Sequence, residues 1–216
     1  MGRPLKRGRP ARLSRDQIVA AAVELVVDGS GEPFSVHRLA RALEVTPMAI
    51  YRHVENKEEL MQAVAQQLMQ DFRPQIPEGE WPEQLRAWAF AARAHFLGKP
   101  ALFGILGWKE HIAGAWLRQI AVLARIIAKS GLENRELADA VQWAANTVMG
   151  HIYFEVSGRE SGYRVSAGDI SMLSPEDAIL VRGIMKHLVR KKADTVFSDT
   201  VERAIEALRM RCGSLT

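Results

Sequence analysis

The stretch that decides the fold is residues 34–60, FSVHRLARALEVTPMAIYRHVENKEEL. Within it Val36, Leu39, Ala40 and Leu43 recur at the i, i+3, i+4, i+7 spacing of one helix face. Thr46 before Pro47 places a capping oxygen ahead of a proline at a first helical position, and Asn56 with Glu59 is a capping-box pair. The pattern predicts a helix over 35–43, a turn at Glu44-Val45-Thr46, a second helix over 47–53, and a third opening at 56. Ala40 is small where two helices would cross, Val45 plugs the turn, and Ile50 faces back into the same core. Met48, Ala49, Tyr51 and Arg52 are left pointing outward. That layout reads either as a helix-turn-helix, whose second helix lies in the major groove of DNA, or as a plain three-helix bundle. An outward Arg can bond guanine edges or phosphate, while Met and Ala methyls can pack on thymine methyls.

The same periodicity runs outward in both directions. Ile18, Ala21, Ala22 and Leu25 repeat it behind a Ser14–Gln17 capping-box pair, as do Leu137, Val141, Ala144 and Val148. Ser174 before Pro175 is a further start signal. No alternating run bounded by turn residues reads as a strand. We expect an all-α chain of about ten helices, at 14–29, 35–43, 47–53, 56–72, 82–98, 100–107, 111–130, 133–157, 174–191 and 197–211. Residues 73–82, RPQIPEGEWP, hold three prolines and a glycine and read as a hinge. Residues 157–174 are rich in Ser and Gly and read as a long loop, either a plain surface loop or a segment near a ligand entrance. The expected organisation is a basic arm at 1–13, a helix-turn-helix domain at 14–73, and an effector-binding and dimerisation domain at 82–216.

Charge is unevenly placed along the 216 residues. The net of +4 hides six basic side chains and no acid in residues 1–15, which leaves 23 positive and 25 negative charges in the rest. Residues 16–72 hold four basic and nine acidic side chains, so bulk attraction to a polyanion falls largely to the arm. Arg7-Gly8-Arg9-Pro10 resembles the core of AT-hook peptides, whose extended arginines lie along a narrow A·T minor groove. Such grooves carry an enhanced negative potential. The alternative is a basic tail that raises non-specific affinity.

A hydrophobic fraction of 48% with five Trp supplies a buried core. One cysteine, Cys212, excludes an internal disulfide framework and suits a reducing cytoplasm. No run of 18 apolar residues reads as a membrane span, and no apolar block follows the basic N-terminus as in a secretory signal.

Residues 13–69 resemble the DNA-binding domain of the tetracycline-repressor (TetR) family of bacterial regulators. The carrying residues are Ile18, Ala21-Ala22 with Glu24-Leu25, Phe34-Ser35-Val36, Leu39-Ala40 with Leu43, and Met48-Ala49-Ile50-Tyr51-Arg52-His53-Val54 followed by Asn56-Lys57-Glu58-Glu59-Leu60. The resemblance implies that Ser35, Tyr51, His53 and Lys57 touch phosphates of double-stranded DNA. His37, Pro47, Met48 and Arg52 would approach base edges. The family often has Gly after the second helix; here Glu44 stands in that turn.

All five Trp lie between 81 and 143. They read either as core or as the walls of an apolar cavity with few polar fixing groups, the usual build of a small-molecule site. Candidate effector-pocket residues are Trp88, Phe103, Trp108, His111, Trp116, Trp143, Asn146 and His151, with His95, Gln142 and Glu155 as further polar candidates. Gly131-Leu132-Glu133-Asn134, Val148-Met149-Gly150 and residues 197–212 are similar to the tetracycline repressors proper. That implies a homodimer through helices 133–157 and 197–211. Those repressors hold drug as a magnesium complex, but Ile105-Leu106-Gly107-Trp108 stands where a His would fall and Phe154 occupies an acidic position. No metal, cofactor or membrane partner is expected, and no nucleophile motif or phosphate loop points to an enzyme. The expectation is a ligand-responsive repressor on a palindromic operator; the rivals are an enzyme with a DNA-tethering domain and a constitutive binder whose pocket is filled.

Overall fold

A computed structural model describes residues 13–28, 34–105, 113–161, 167–188 and 192–213. Among these residues helix is the regular secondary structure and no strand occurs. The helices are α1 (Arg15–Val27), α2 (Val36–Ala42), α3 (Pro47–Tyr51), α4 (Lys57–Gln70), α5 (Trp81–Gly98) and α6 (Ala101–Ile105). The series continues with α7 (Ala113–Ala128), α8 (Asn134–Ser161), α9 (Ala167–Ser171), α10 (Pro175–Leu188) and α11 (Ala193–Gly213).

The N-terminal unit forms because its ends are well capped. Ser14 accepts from Gln17 N while the Gln17 side chain accepts from Ser14 N, a complete capping box. Ser35 Oγ accepts from Arg38 N, and Thr46 Oγ1 accepts from Ala49 N ahead of Pro47. The Asn56–Glu59 pair closes differently from expectation. Asn56 Oδ1 accepts from Glu59 N at 2.8 Å, but the Glu59 carboxylate takes the amide of Glu55 at 2.6 Å and the guanidinium of Arg15 at 3.0 Å. A carboxylate drawn toward Arg15 reaches one residue further back, so the box becomes a clamp between α1 and α4. Ile18, Leu39, Ile50 and Leu60 are all fully buried where α1, α2, α3 and α4 meet.

The turn after α2 keeps its shape despite lacking glycine. Glu44 has φ 55°, the left-handed conformation, with Glu44 N bonded to Arg41 O at 3.2 Å and Val45 N to Ala40 O at 2.9 Å. Those two bonds make a Schellman ending, normally built on Gly. The Cβ of Glu44 costs roughly 1–2 kcal/mol in this conformation, offset by the two carbonyls satisfied and by Val45 packed on the core.

α4 continues out of this unit into the next. It packs on α1 at one end and on α6 and α7 at the other. The linker that follows is held rather than loose, since Gln84 Nε2 donates to Pro77 O at 2.7 Å. α5, α7, α8 and α11 form the larger core, with Trp88, Phe96, Leu123, Ile152 and Phe197 almost fully buried. Gly131, at φ 87°, turns the chain between α7 and α8.

One expectation is corrected. The segment 157–174 is not one loop: α8 runs to Ser161 and α9 occupies Ala167–Ser171. Once a long helix is nucleated, adding a residue costs little, so Ser157 and Gly158 extend it despite modest propensity. The apolar stripe of α11 (Phe197, Val201, Ala204, Ile205 and Leu208) is buried by packing on α5 and α8 of the same chain. That stripe is spent in the monomer core. No helix among the described residues is long and apolar enough to cross a membrane.

Candidate nucleic-acid interface and ligand cavity

At the N-terminal end, the side chains expected to meet DNA are on the outside of a rigid unit. Met48 is 67% exposed and Tyr51 41%, although both are apolar enough to be buried elsewhere. Arg52, the C-cap of α3, and Lys57, the first residue of α4, are also exposed, as is His37 on α2. Ser35, Pro47 and His53 are half-buried. The Ser35 hydroxyl oxygen already serves as cap acceptor, which leaves its proton free to donate outward. Rigidity beneath this face comes from Ile50 and Val54, from the Arg15–Glu59 pair, and from an Arg38–Asp28 pair that ties α2 to the end of α1. Arg7 and Arg9 lie outside the described residues.

At the other end, α6, α7 and α8 enclose an open cavity of about 630 Å³. Trp116, Ile120 and Ala124 present one face of α7, and Phe103 closes one side. Leu137, Val141, Ala145 and Met149 present one face of α8 at i, i+4, i+8, i+12. Asn134, Gln142 and Asn146 are the polar groups on that wall. The composition is apolar with a few amides, suited to a ligand with a large apolar body and a carbonyl or hydroxyl or two.

Of the expected pocket residues, Phe103, Trp116, Gln142 and Asn146 line this cavity. Trp88 does not: it is 1% exposed and fills the core. Trp143 lies on the outer side of α8, 42% exposed. His151 is spent elsewhere. Thr200 Oγ1 donates to Val196 O at 2.9 Å, so the 3.1 Å contact with His151 Nδ1 has the ring donating to the hydroxyl, and the ring packs on Phe197. Burial pushes the His151 pKa down and keeps it neutral. Glu155 is also unavailable, since Arg93 grips both its oxygens at 2.7 and 2.8 Å, bonds Asp194 at 2.7 Å and sits over the Phe197 ring. His95 packs on Phe72 and Phe96, outside the cavity. Trp108 and His111 lie outside the described residues. Among the described residues no group of three His, Cys, Asp or Glu could hold a metal.

Counting aromatics separated walls from core only in part, because a Trp can fill space, as Trp88 does, or line it, as Trp116 does. The cavity is made where the facing residues are small, at Ala124, Ala138 and Ala145. Helical spacing of those alanines opposite each other was the available signal.

Three comparisons place the chain among known proteins. The model of a family described as "Bacterial regulatory proteins, tetR family" matches residues 18–64. The HTH-type transcriptional regulator TcmR of Streptomyces glaucescens is 34% identical over 92 residues, 41% of this chain and 41% of that protein. The chain therefore matches under half the length of that relative. The crystal structure of ActR from Streptomyces coelicolor in complex with actinorhodin shares the fold, with a TM-score of 0.77 at 20% identity over 95% of this chain and 100% of that one. A structure of BioQ with its natural double-stranded DNA operator matches at TM-score 0.62 and 27% identity, covering 68% of this chain and 90% of that one.

Proposed function

We propose, from the match of residues 18–64 to the tetR-family model, that this chain is a ligand-responsive repressor of that family which binds a palindromic operator as a homodimer. In this reading the arm 1–13, the helix-turn-helix domain 14–73 and the effector domain 82–216 are separate working parts. His37, Pro47, Met48 and Arg52 approach base edges through α2 and α3, and Ser35, Tyr51, His53 and Lys57 hold the phosphates.

The observation that carries the proposal is the position of α4. One helix of 14 residues starts beside the exposed DNA face and ends packed on α6 and α7, two of the helices that wall the cavity. A ligand that reshapes those walls acts on the end of α4 directly. Two reading heads must stand about 34–36 Å apart to enter successive major grooves, so a small rotation of α4 in each copy lowers operator affinity. Ligand and DNA then oppose each other by preferring different conformations of one dimer.

The cavity volume supports an effector over a constitutive binder with a filled pocket. ActR was solved with actinorhodin; for this chain the lining itself favours a bulky, largely apolar molecule carrying hydrogen-bonding groups for Asn134, Gln142 and Asn146. The enzyme alternative would need a reactive group in the cavity, and among the described residues the polar side chains of the lining are amides, Asn134, Gln142 and Asn146. Pairing is supported by apolar side chains exposed in a single copy, Trp143 and Phe154 on α8 and Met210 on α11.

The test is DNA binding by fluorescence anisotropy with the chain and with Arg52→Ala. The variant should bind a selected operator ~5- to 150-fold more weakly, the loss of one base or phosphate contact of about 1–3 kcal/mol. Equal affinity would overturn the assignment of α3 as reading head.

A further inference from the structure

The outer face of α7 is used neither by the cavity nor by the DNA surface. Arg118, Arg125 and Lys129 lie along it and line a groove of about 1080 Å³, with Arg73 and the α4 glutamines Gln66 and Gln70 on the opposite wall. Among the described residues no carboxylate lines this groove. Among the described residues, no ion pair joins any of these four cations to an acid.

Such an arrangement is costly without an occupant. Arg125 and Lys129 are like charges at i and i+4, which repel across one helical turn. Lys129 is helped by the negative C-terminal end of α7, and Arg73 by that of α4, where its Nε donates to Gln70 O at 3.4 Å, but Arg118 has no such compensation. The groove floor is apolar, with Met69, Phe72 and Ile126 each no more than 4% exposed. A low-dielectric floor beneath several cations concentrates positive potential in the concavity.

DNA does not reach this place when docked on α3. The groove lies toward the Gln70 end of α4, whose lining residues Gln66 to Gln70 stand about 14–20 Å from Lys57 at the helical rise.

We propose that this groove is a second ligand site, for a small anion carrying two or more negative charges on phosphate or carboxylate groups. Arg73 and the cations of α7 grip it from opposite walls, and the amides of Gln66 and Gln70 donate to its remaining oxygens. An anion held this way ties the end of α4 to α7 at the hinge. Its effect on DNA affinity rests on the function proposed above; the binding itself does not.

The experiment is calorimetric titration of the full chain with inorganic pyrophosphate, and separately with citrate, at an ionic strength fixed by potassium chloride. We expect saturable binding of at least one of them, tighter pyrophosphate indicating phosphate and tighter citrate indicating carboxylate chemistry. Arg118→Gln/Arg125→Gln should weaken it at least ~10-fold, about 1.4 kcal/mol. Arg135→Gln, at a 93% exposed side chain on α8 away from the groove, should leave it unchanged. Both groove substitutions are at exposed positions, and circular dichroism checks that the helices persist. Absence of heat beyond the chloride control, or equal affinity in the double variant, overturns the proposal. Operator affinity is read in a separate titration with the better probe at saturation, so failure of the repressor reading is distinguishable from failure of the site.

Discussion

Gln119, 6% exposed on α7, donates its side-chain amide to the main-chain carbonyl of Phe72, just beyond α4, at 3.0 Å. The same end of α4 is held from α5, where Lys99 Nζ donates to Leu68 O at 3.2 Å and to the Asp71 carboxylate at 2.9 Å. α7 is also a cavity wall through Trp116, Ile120 and Ala124. A single buried hydrogen bond thus connects the wall of the ligand cavity to the far end of the helix that begins at the DNA face.

Gln119→Met should lower stability by about 1–3 kcal/mol, because it strands the Phe72 carbonyl in a buried site. The value should fall toward the low end, since the substitution also removes Oε1, which is buried without a partner. Urea denaturation followed by circular dichroism reads it, and an unchanged midpoint would show that the bond is not needed.

Glu44→Gly should stabilise the N-terminal unit by up to about 1 kcal/mol. Glycine removes the Cβ penalty at φ 55° but gains freedom in the unfolded chain. It also removes a carboxylate from the turn between α2 and α3, so DNA binding should tighten. A lower melting temperature would mean that the Glu44 side chain makes a contribution beyond its backbone conformation.

Tyr51→Ala should weaken operator binding without unfolding the chain, because the ring is 41% exposed and the core beneath is carried by Ile50. A loss of roughly 1 kcal/mol is expected for one phosphate contact. Anisotropy and a thermal melt on the same sample separate lost contact from lost fold.

Deleting residues 1–12 should flatten the salt dependence of DNA binding, by about 0.9 in the logarithmic slope for each phosphate released. Residues 16–72 carry nine acids against four bases, so the body supplies little of that slope. An unchanged slope would show that the arm stays off the duplex.

Stability should fall as pH drops below the ordinary imidazole value of 6.5. Burial holds the pKa of His95 and of His151 down in the folded chain, with Lys99 adding to the effect at His95. The unfolded chain then takes up protons first, so the stabilisation present at higher pH is lost on acidification. The carboxylates held low by partners, Asp71 by Lys99 and Glu202 by Arg86, act in a more acid range, below 4.5. His95→Asn/His151→Asn should therefore lessen the decline between about pH 7 and about pH 5.5. An equally steep decline in the variant would assign it to other groups.

The helix-turn-helix was legible because its signals are local. Caps at Ser14, Ser35 and Thr46, the apolar face of Val36, Leu39 and Ala40, and Pro47 at a helix start are all read over a few residues. The cavity was half legible. Its α7 and α8 faces follow helical spacing, yet which aromatic fills and which lines depends on non-local packing; Trp88 went inward, Trp116 to the wall and Trp143 outside. The fate of the polar candidates was settled by partners far away in sequence: Thr200 for His151, and Arg93 for Glu155. The left-handed Glu44 kept the turn because two backbone bonds and Val45 outweigh one Cβ.

Selection of bound duplexes from a random library, performed with the full chain, tests the central claim most directly. The account predicts an enriched inverted repeat whose half-sites stand about 10–10.5 base pairs apart or a multiple of that. Recovery of no enriched sequence, or of an asymmetric one, would contradict it.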